Sequence, residues 1–219
     1  MQSSETGASL RISEIFYSLQ GETSRVGLPT VFVRLTGCPL RCHYCDTTYA
    51  FTGGQSVTLQ AIMDEVRRYP TRYVTVTGGE PLAQKNCLPL LRQLCDEGYR
   101  VSLETSGALD VSVVDQRVMK ILDIKTPSSG EVEKNLWSNL GFVNANDEIK
   151  FVLCNKDDYL WARKTLQERN LAGECEVLFS PAQGQLSPTE LADWILRDQL
   201  PVRMQLQLHK ILWGNVAGR

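Results

Sequence analysis

The stretch YVTVTGGEPLAQKNCLPLLRQLCDEGYRVSLETSG, residues 73–107, reads as strand, turn, helix and strand in succession. Residues 73–77 are β-branched or aromatic at every position, which predicts a strand ending at Gly78-Gly79. Leu90, Leu91, Leu94 and Cys95 then recur at helical spacing and stop before Gly98, a residue suited to a helix C-cap. Residues 100–104 start a second strand that runs into Thr105-Ser106-Gly107. Two strands joined through a helix lie parallel by a right-handed crossover, so this segment alone assigns the chain to the α/β class.

The same alternation extends outward. Strand patterns recur at 11–17, 30–36, 119–125, 148–153, 176–180 and 203–209. Helical stripes fall at Leu59, Ile62, Met63 and Val66 after the N-cap candidate Thr58, and at Leu191, Trp194 and Ile195 after Pro188. A complete eight-unit barrel takes about 250 residues, and the chain has 219. The expected architecture is therefore a partial TIM-like barrel of mainly parallel strands with helices outside. No linker, repeat or low-complexity tract divides it, so residues 1–219 are expected to form a single domain. Residues 128–147 are the least regular and read as a long surface excursion.

The composition is 42% hydrophobic and 22% charged, that of a folded globular chain. With 23 basic against 25 acidic residues the formal charge is −2, which offers no cationic field to a nucleic acid. The N-terminal MQSSETGASLRISE has no apolar leader, and no apolar run approaches the length of a membrane span. The expectation is a soluble cytoplasmic protein that binds neither nucleic acid nor membrane.

Chemistry collects where strands end. After 30–36 come Cys38, Cys42 and Cys45; after 73–77 come Gly78-Gly79-Glu80-Pro81; later ends carry Asp123-Ile124-Lys125-Thr126-Pro127, Ser180-Pro181-Ala182-Gln183-Gly184 and His209-Lys210. Parallel strands present their carboxyl ends on one face, where α/β folds build their sites. Adjacent thiolates repel unless a cation neutralises them, so a CxxxCxxC loop in a reducing compartment reads as a ligand set for a soft metal. Three thiolates can hold one face of an iron–sulfur cube and leave one iron open; the other reading is a zinc site formed with His43. Cys87, Cys95, Cys154 and Cys175 read as small buried hydrophobes.

The CxxxCxxC spacing with Tyr44 before the last cysteine, joined to Thr77-Gly78-Gly79-Glu80-Pro81, resembles the radical S-adenosylmethionine superfamily. The resemblance implies a radical SAM core in which Cys38, Cys42 and Cys45 carry a [4Fe-4S] cluster. It also implies that S-adenosylmethionine chelates the open iron, with Tyr44, Asp46, Gly79, Glu80, Ser106, Lys125, Ser180 and Gln183 as its contacts. The glycines let backbone approach the cofactor's amino group, and a carboxylate or carbonyl accepts from it.

Further segments narrow the likeness. Residues 16–22, 32–38 and 45–47, Glu104-Thr105-Ser106-Gly107, residues 123–130 and His209-Lys210 are similar to the 7-carboxy-7-deazaguanine synthases of queuosine biosynthesis, over nearly the whole chain. Members of that family convert 6-carboxy-5,6,7,8-tetrahydropterin to the deazapurine with loss of ammonia and depend on magnesium. By this resemblance Leu19, Gln20, Gly21, Glu22, Arg34, Thr77, Glu104 and His209 bind the pterin, and Thr47 binds Mg2+. The residue types suit the substrate: Gln20 donates and accepts, Glu22 and Glu104 accept from N–H groups, and Arg34 grips a carboxylate. No side chain is assigned as an acid or base. A flavodoxin-like electron donor and a homodimer are further implications. Thr23 stands where many members have Gly, which would reshape the first loop, and the end of the chain past Trp213 leaves open which backbone group closes over the substrate. The rival functions are an activase of glycyl-radical enzymes and a non-catalytic zinc module.

Overall fold

The computed structural model describes residues 7–214, 216 and 218. The expected absence of an apolar leader falls partly on residues 1–6, outside that range. No helix among the described residues is long and apolar enough to cross a membrane.

Nine strands form one open sheet: β1 (Ser9–Leu19), β2 (Pro29–Leu35), β3 (Gln55–Thr58), β4 (Tyr73–Gly78), β5 (Arg100–Thr105), β6 (Met119–Ile124), β7 (Glu148–Leu153), β8 (Glu176–Pro181) and β9 (Arg203–Met204). Their order is β3-β1-β2-β4-β5-β6-β7-β8-β9, so the barrel is not closed. From β2 to β9 every neighbouring pair is parallel, whereas β1 is antiparallel to both β2 and β3. The partial barrel of mainly parallel strands is as expected; β3 is an additional strand.

The helices α1 (Leu59–Arg67), α2 (Cys87–Asp96), α3 (Lys156–Glu168) and α4 (Pro188–Arg197) follow strands, and a short α5 (Leu208–Trp213) ends the fold. Thr58 caps α1 by accepting from the Ala61 N–H at 3.2 Å. At the end of α2, Gly98 (φ +81°) turns the chain while its N–H bonds Cys95 O and the Tyr99 N–H bonds Leu94 O, the paired bonds of a Schellman cap. The apolar stripes read from sequence are buried: Leu59, Ile62, Met63 and Val66 on α1, Leu90, Leu91 and Leu94 on α2, and Leu191, Trp194 and Ile195 on α4. They pack on the outer face of the sheet in two clusters, one beneath β1, β2, β4 and β5 and one beneath β6 to β8. Burial of this apolar surface, at roughly 25 cal/mol per Å2, is the main term holding helices to strands.

Two expectations are corrected. Residues 203–209 are not one strand: only Arg203 and Met204 pair with β8, and the chain turns so that the Leu208 N–H reaches Gly21 O at 2.9 Å. His209 therefore sits on α5. Residues 128–147 do run over the surface, most of them exposed or half-buried, but as an ordered segment and not an irregular one. They form three short 3-10 turns pinned by buried asparagines: Asn135 exchanges two bonds with the Lys125 backbone (2.8 and 2.9 Å), and Asn139 ties Gly107, Leu109 and Val111.

Candidate active site

Because β1 runs antiparallel to β2, Leu19 pairs with Pro29, the first residue of β2. The loop after β1 thus lies at the amino ends of the parallel strands, opposite their carboxyl rim. The Ser24 N–H donates to Glu148 at the start of β7 (2.8 Å), and Arg25 donates to Arg100 O at the start of β5 (3.0 Å). This loop floors the barrel, and Gln20 and Glu22 reach up into it. Thr23 holds φ +68° and is buried, so the threonine keeps the left-handed turn that glycine favours, at roughly 1–2 kcal/mol of backbone strain.

Above the floor lies a cavity of about 820 Å3, within the roughly 300–1,000 Å3 typical of ligand sites. Cys38, Cys42 and Cys45 line its mouth, together with Tyr44, Asp46, Thr47, Gly79, Ser106, Lys125, Ser180 and Gln183; Leu19, Gln20, Gly21, Glu22, Arg34, Thr77, Glu104 and His209 line it further in. Glu80 alone of the predicted site residues is not on the wall. It is fully buried and accepts from the Leu82 N–H (3.0 Å), Thr105 Oγ1 (2.9 Å), the Ser106 N–H (2.7 Å) and Ser106 Oγ (2.5 Å). Its carboxylate sets the turn that carries Ser106. The glycines before it also have a local reason: a Cβ on Gly79 would stand 2.2 Å from Gly37 O and 2.9 Å from Cys38 Cβ. The β4 turn and the cysteine loop touch backbone to backbone.

The cysteine loop is held from outside. Arg41 donates to Cys38 O and Leu40 O, each at 2.7 Å, and lies over Phe51, while its N–H meets Glu131. All seven cysteines are free thiols. Burial raises the pKa of each of the three loop thiols, Cys42 to about 11, and Lys125 is the cation that opposes this at each of them. The Leu40 N–H points at Cys38 Sγ (3.4 Å). Three unpaired soft donors on one cavity wall fit an iron–sulfur cluster ligated by protein at three corners. His43 is exposed and lies against Gly130, and no three His, Cys, Asp or Glu side chains among the described residues group as ligands of a single metal ion. The buried Tyr44 hydroxyl and Asp123 Oδ1 lack a partner, which fits a polar ligand in the same space.

The inner wall is a charge network. Lys150 on β7 donates to Glu22 at 2.5 Å and stands 3.9 Å from Asp123, which pairs with Lys125 at 3.2 Å. Burial drives the Glu22 carboxyl up, but Lys150 and the Gln207 amide more than offset this and leave it below the ordinary range. Glu104 is pushed up, first by burial and then by facing Glu22; its partners are the neutral Thr77 hydroxyl (2.8 Å) and Gln20 amide (3.4 Å). Arg34 bonds Glu14 at 2.7 Å, the structural-acid pairing that an arginine in a strand also permits. Thr47 Oγ1 donates to Asp46 at 2.9 Å, and the half-exposed Asp46 carboxyl is held well below the usual carboxylate range, against partial desolvation, by its bond to Lys210.

α5 spans the gap between the last strand and the first loop. Gln207 bonds Glu22 (2.9 Å) and Asp46 (3.1 Å), Lys210 bonds Asp46 (2.6 Å), and the His209 ring packs where a Cβ on Gly21 would stand 2.1 Å from Nδ1. Burial lowers the His209 imidazole's affinity for a proton. Gly214, Val216 and Gly218 also line the cavity. Sequence reasoning singled out neither Lys150, Asp123, Gln207 nor Lys210 as site residues. The usable signal for the first two was a charge on the inward face of strands whose alternate residues are buried.

Residues 32–127 match the Radical SAM superfamily, the class that this open parallel barrel and its cysteine loop define. A 7-carboxy-7-deazaguanine synthase from Chlorobaculum tepidum is 50% identical over 215 residues, covering 97% of this chain and 98% of that one. The synthase from Koribacter versatilis is 42% identical over 93% of this chain and 97% of its own. The chain belongs to the 7-carboxy-7-deazaguanine synthase family. In fold it is similar to the solved Escherichia coli QueE, with a TM-score of 0.78 at 23% identity over 95% of this chain and all of that one.

Proposed function

We propose that this chain is a radical S-adenosylmethionine enzyme that converts 6-carboxy-5,6,7,8-tetrahydropterin to 7-carboxy-7-deazaguanine, with loss of ammonia and ring contraction, in the formation of 7-deazapurines such as queuosine. One observation carries the reading: a three-thiol mouth and a floor of carboxylates, amide and guanidinium share a single cavity. When bound, the cluster and S-adenosylmethionine supply hydrogen-abstracting radical chemistry, directed at C6 of the pterin.

The side chains then divide the work. Cys38, Cys42 and Cys45 hold the cluster; Tyr44, Asp46, Gly79, Ser106, Lys125, Ser180 and Gln183 hold the cofactor. Leu19, Gln20, Gly21, Glu22, Arg34, Thr77, Glu104 and His209 orient the pterin, with Arg34 offered to its carboxylate and the floor acids to its N–H groups. Orientation of this kind converts an encounter into a near-attack geometry. α5 and the floor loop keep water from the reacting carbon. Thr47, whose hydroxyl stands beside Asp46, would hold a Mg2+ ion, which would supply positive charge for the substrate carboxylate; magnesium takes few protein oxygens and keeps several waters. The chain works as one unit over residues 1–219, as a cytoplasmic homodimer reduced by a flavodoxin-like protein.

Anaerobic reconstitution followed by incubation with the carboxytetrahydropterin, reductant, S-adenosylmethionine and magnesium tests the proposal. The deazaguanine chromophore should appear. Reconstituted protein that cleaves the cofactor but leaves the pterin unchanged would refute it.

A further inference from the structure

The floor of the cavity presents two carboxyls, Glu22 and Glu104, linked through Gln20, which receives the Glu22 N–H on its oxygen (3.2 Å) and points its amide at Glu104 (3.4 Å). Only one of them has a cation in contact. Lys150 extends inward from β7, opposite Asp123 in register on β6, and its Nζ lies 2.5 Å from Glu22 Oε2. The Lys150 and Glu22 side chains are only 15% and 14% exposed, so this pair is little screened by water.

Resting on the substrate reading above, we infer that Lys150 is a positioning residue that fixes Glu22, and not Glu104, as the ionised acceptor for the N–H edge of the pterin. Two like charges in one site do not both ionise readily, and the neighbour of a fixed cation ionises first. The Glu22 oxygens keep free lone pairs after bonding Lys150 and Gln207, because an ionised carboxylate accepts about four bonds. Glu104 accepts only from the neutral Thr77 hydroxyl and Gln20 amide and has no cation in contact, so it ionises less readily than Glu22. The opposite displacements of the two carboxyls agree with this geometry. The other groups facing the pair are Asp46 and His209 toward Glu22, Arg34 toward Glu104, and Asp123 toward Lys150. Of these, Asp46 and Asp123 add negative charge and so increase the need for the lysine.

The test is steady-state turnover of carboxytetrahydropterin by reconstituted holoenzyme, as wild type, K150M, K150R, E22Q and K150M/E22Q. K150M should raise KM about tenfold at neutral pH, the factor expected when about nine-tenths of Glu22, buried and without its cation, is protonated there, while keeping its cluster iron. That KM should fall back as pH rises from about 7 to about 9 and Glu22 re-ionises, a recovery that loss of packing does not produce. K150R should restore most of the affinity, and K150M/E22Q should show no pH recovery. A KM unchanged in K150M, or raised equally at every pH, overturns the inference. Should K150M lose its iron, E22Q alone decides: a KM unchanged from wild type refutes Glu22 as the acceptor. Wild type that does not turn over the pterin refutes the substrate reading itself, which the remaining outcomes leave standing.

Discussion

Replacing Glu80 with Gln tests whether this acid organises the cofactor wall from behind. Both carboxylate oxygens accept from backbone donors, Leu82 N–H at 3.0 Å on Oε1 and Ser106 N–H at 2.7 Å on Oε2. A glutamine must turn its NH2 toward one of them, and a backbone N–H cannot become an acceptor. Thr105 and Ser106 can rotate their hydroxyls; the peptide cannot adapt. The substitution removes one charge-assisted bond, worth about 1.5–3 kcal/mol, and orphans a buried N–H, at about 1–3 kcal/mol. Allowing partial relaxation, about 3 kcal/mol is lost. For a chain of this size each kcal/mol shifts Tm by about 2–4 °C, so E80Q should melt about 6–12 °C below wild type. Ser106→Ala, which deletes only a hydroxyl, should lose about 1 kcal/mol. Differential scanning fluorimetry of the cluster-free proteins gives the melting points, and equilibrium dialysis of S-adenosylmethionine against reconstituted E80Q gives the binding. An E80Q that melts within about 2 °C of wild type yet fails to bind the cofactor would refute this reasoning and return Glu80 to direct contact.

Single substitution of Cys38, Cys42 or Cys45 by Ala should abolish the visible absorbance of the reconstituted cluster, as measured with iron and sulfide content; full content in all three variants would contradict their role. Gly79→Ala should lower cluster yield, because the added Cβ meets Gly37 O at 2.2 Å and must displace the cysteine loop; overpacking of this kind costs about 1–3 kcal/mol, visible in the melting curve. Glu104 holds its proton to a higher pH in the fold than in the unfolded chain, where glutamate titrates near 4.3, so the folded state loses stability as pH rises above about 4.3. E104Q removes that loss, and its Tm relative to wild type should rise from about pH 4 to about pH 7; a constant difference across that range would place the carboxyl at its ordinary value. Chelation of magnesium should slow product formation and its return should restore it; equal rates would remove the ion from Thr47.

Much of the architecture was legible because its chemistry is local. The β4-α2-β5 unit announced itself through an unbroken β-branched run, a leucine stripe and Gly98, and each has the predicted role. The rim residues followed from what stands after each strand, and nearly all of them reached the cavity wall. The floor was not legible, because the direction of β1 depends on residues 20–28 doubling back, and alternation along a strand carries no sign of its direction. Residues 203–208 alternate polar and apolar like a strand, yet pairing with β8 ends at Met204 and the next turn is claimed by Gly21. Lys150 reads as a solvated charge until the sheet curls its side chain inward to Glu22. Glu80 was placed on the ligand by its motif, and only the neighbouring β5 turn, distant in sequence, shows where its bonds go.

The proposed reaction rests on hydrogen transfer from the pterin to the cofactor within one cavity. The most direct measurement uses carboxytetrahydropterin carrying deuterium at C6, with mass spectrometry of the 5'-deoxyadenosine released by the reconstituted, reduced enzyme. Deuterium in that product is the predicted result; 5'-deoxyadenosine formed alongside the deazapurine without label would contradict it.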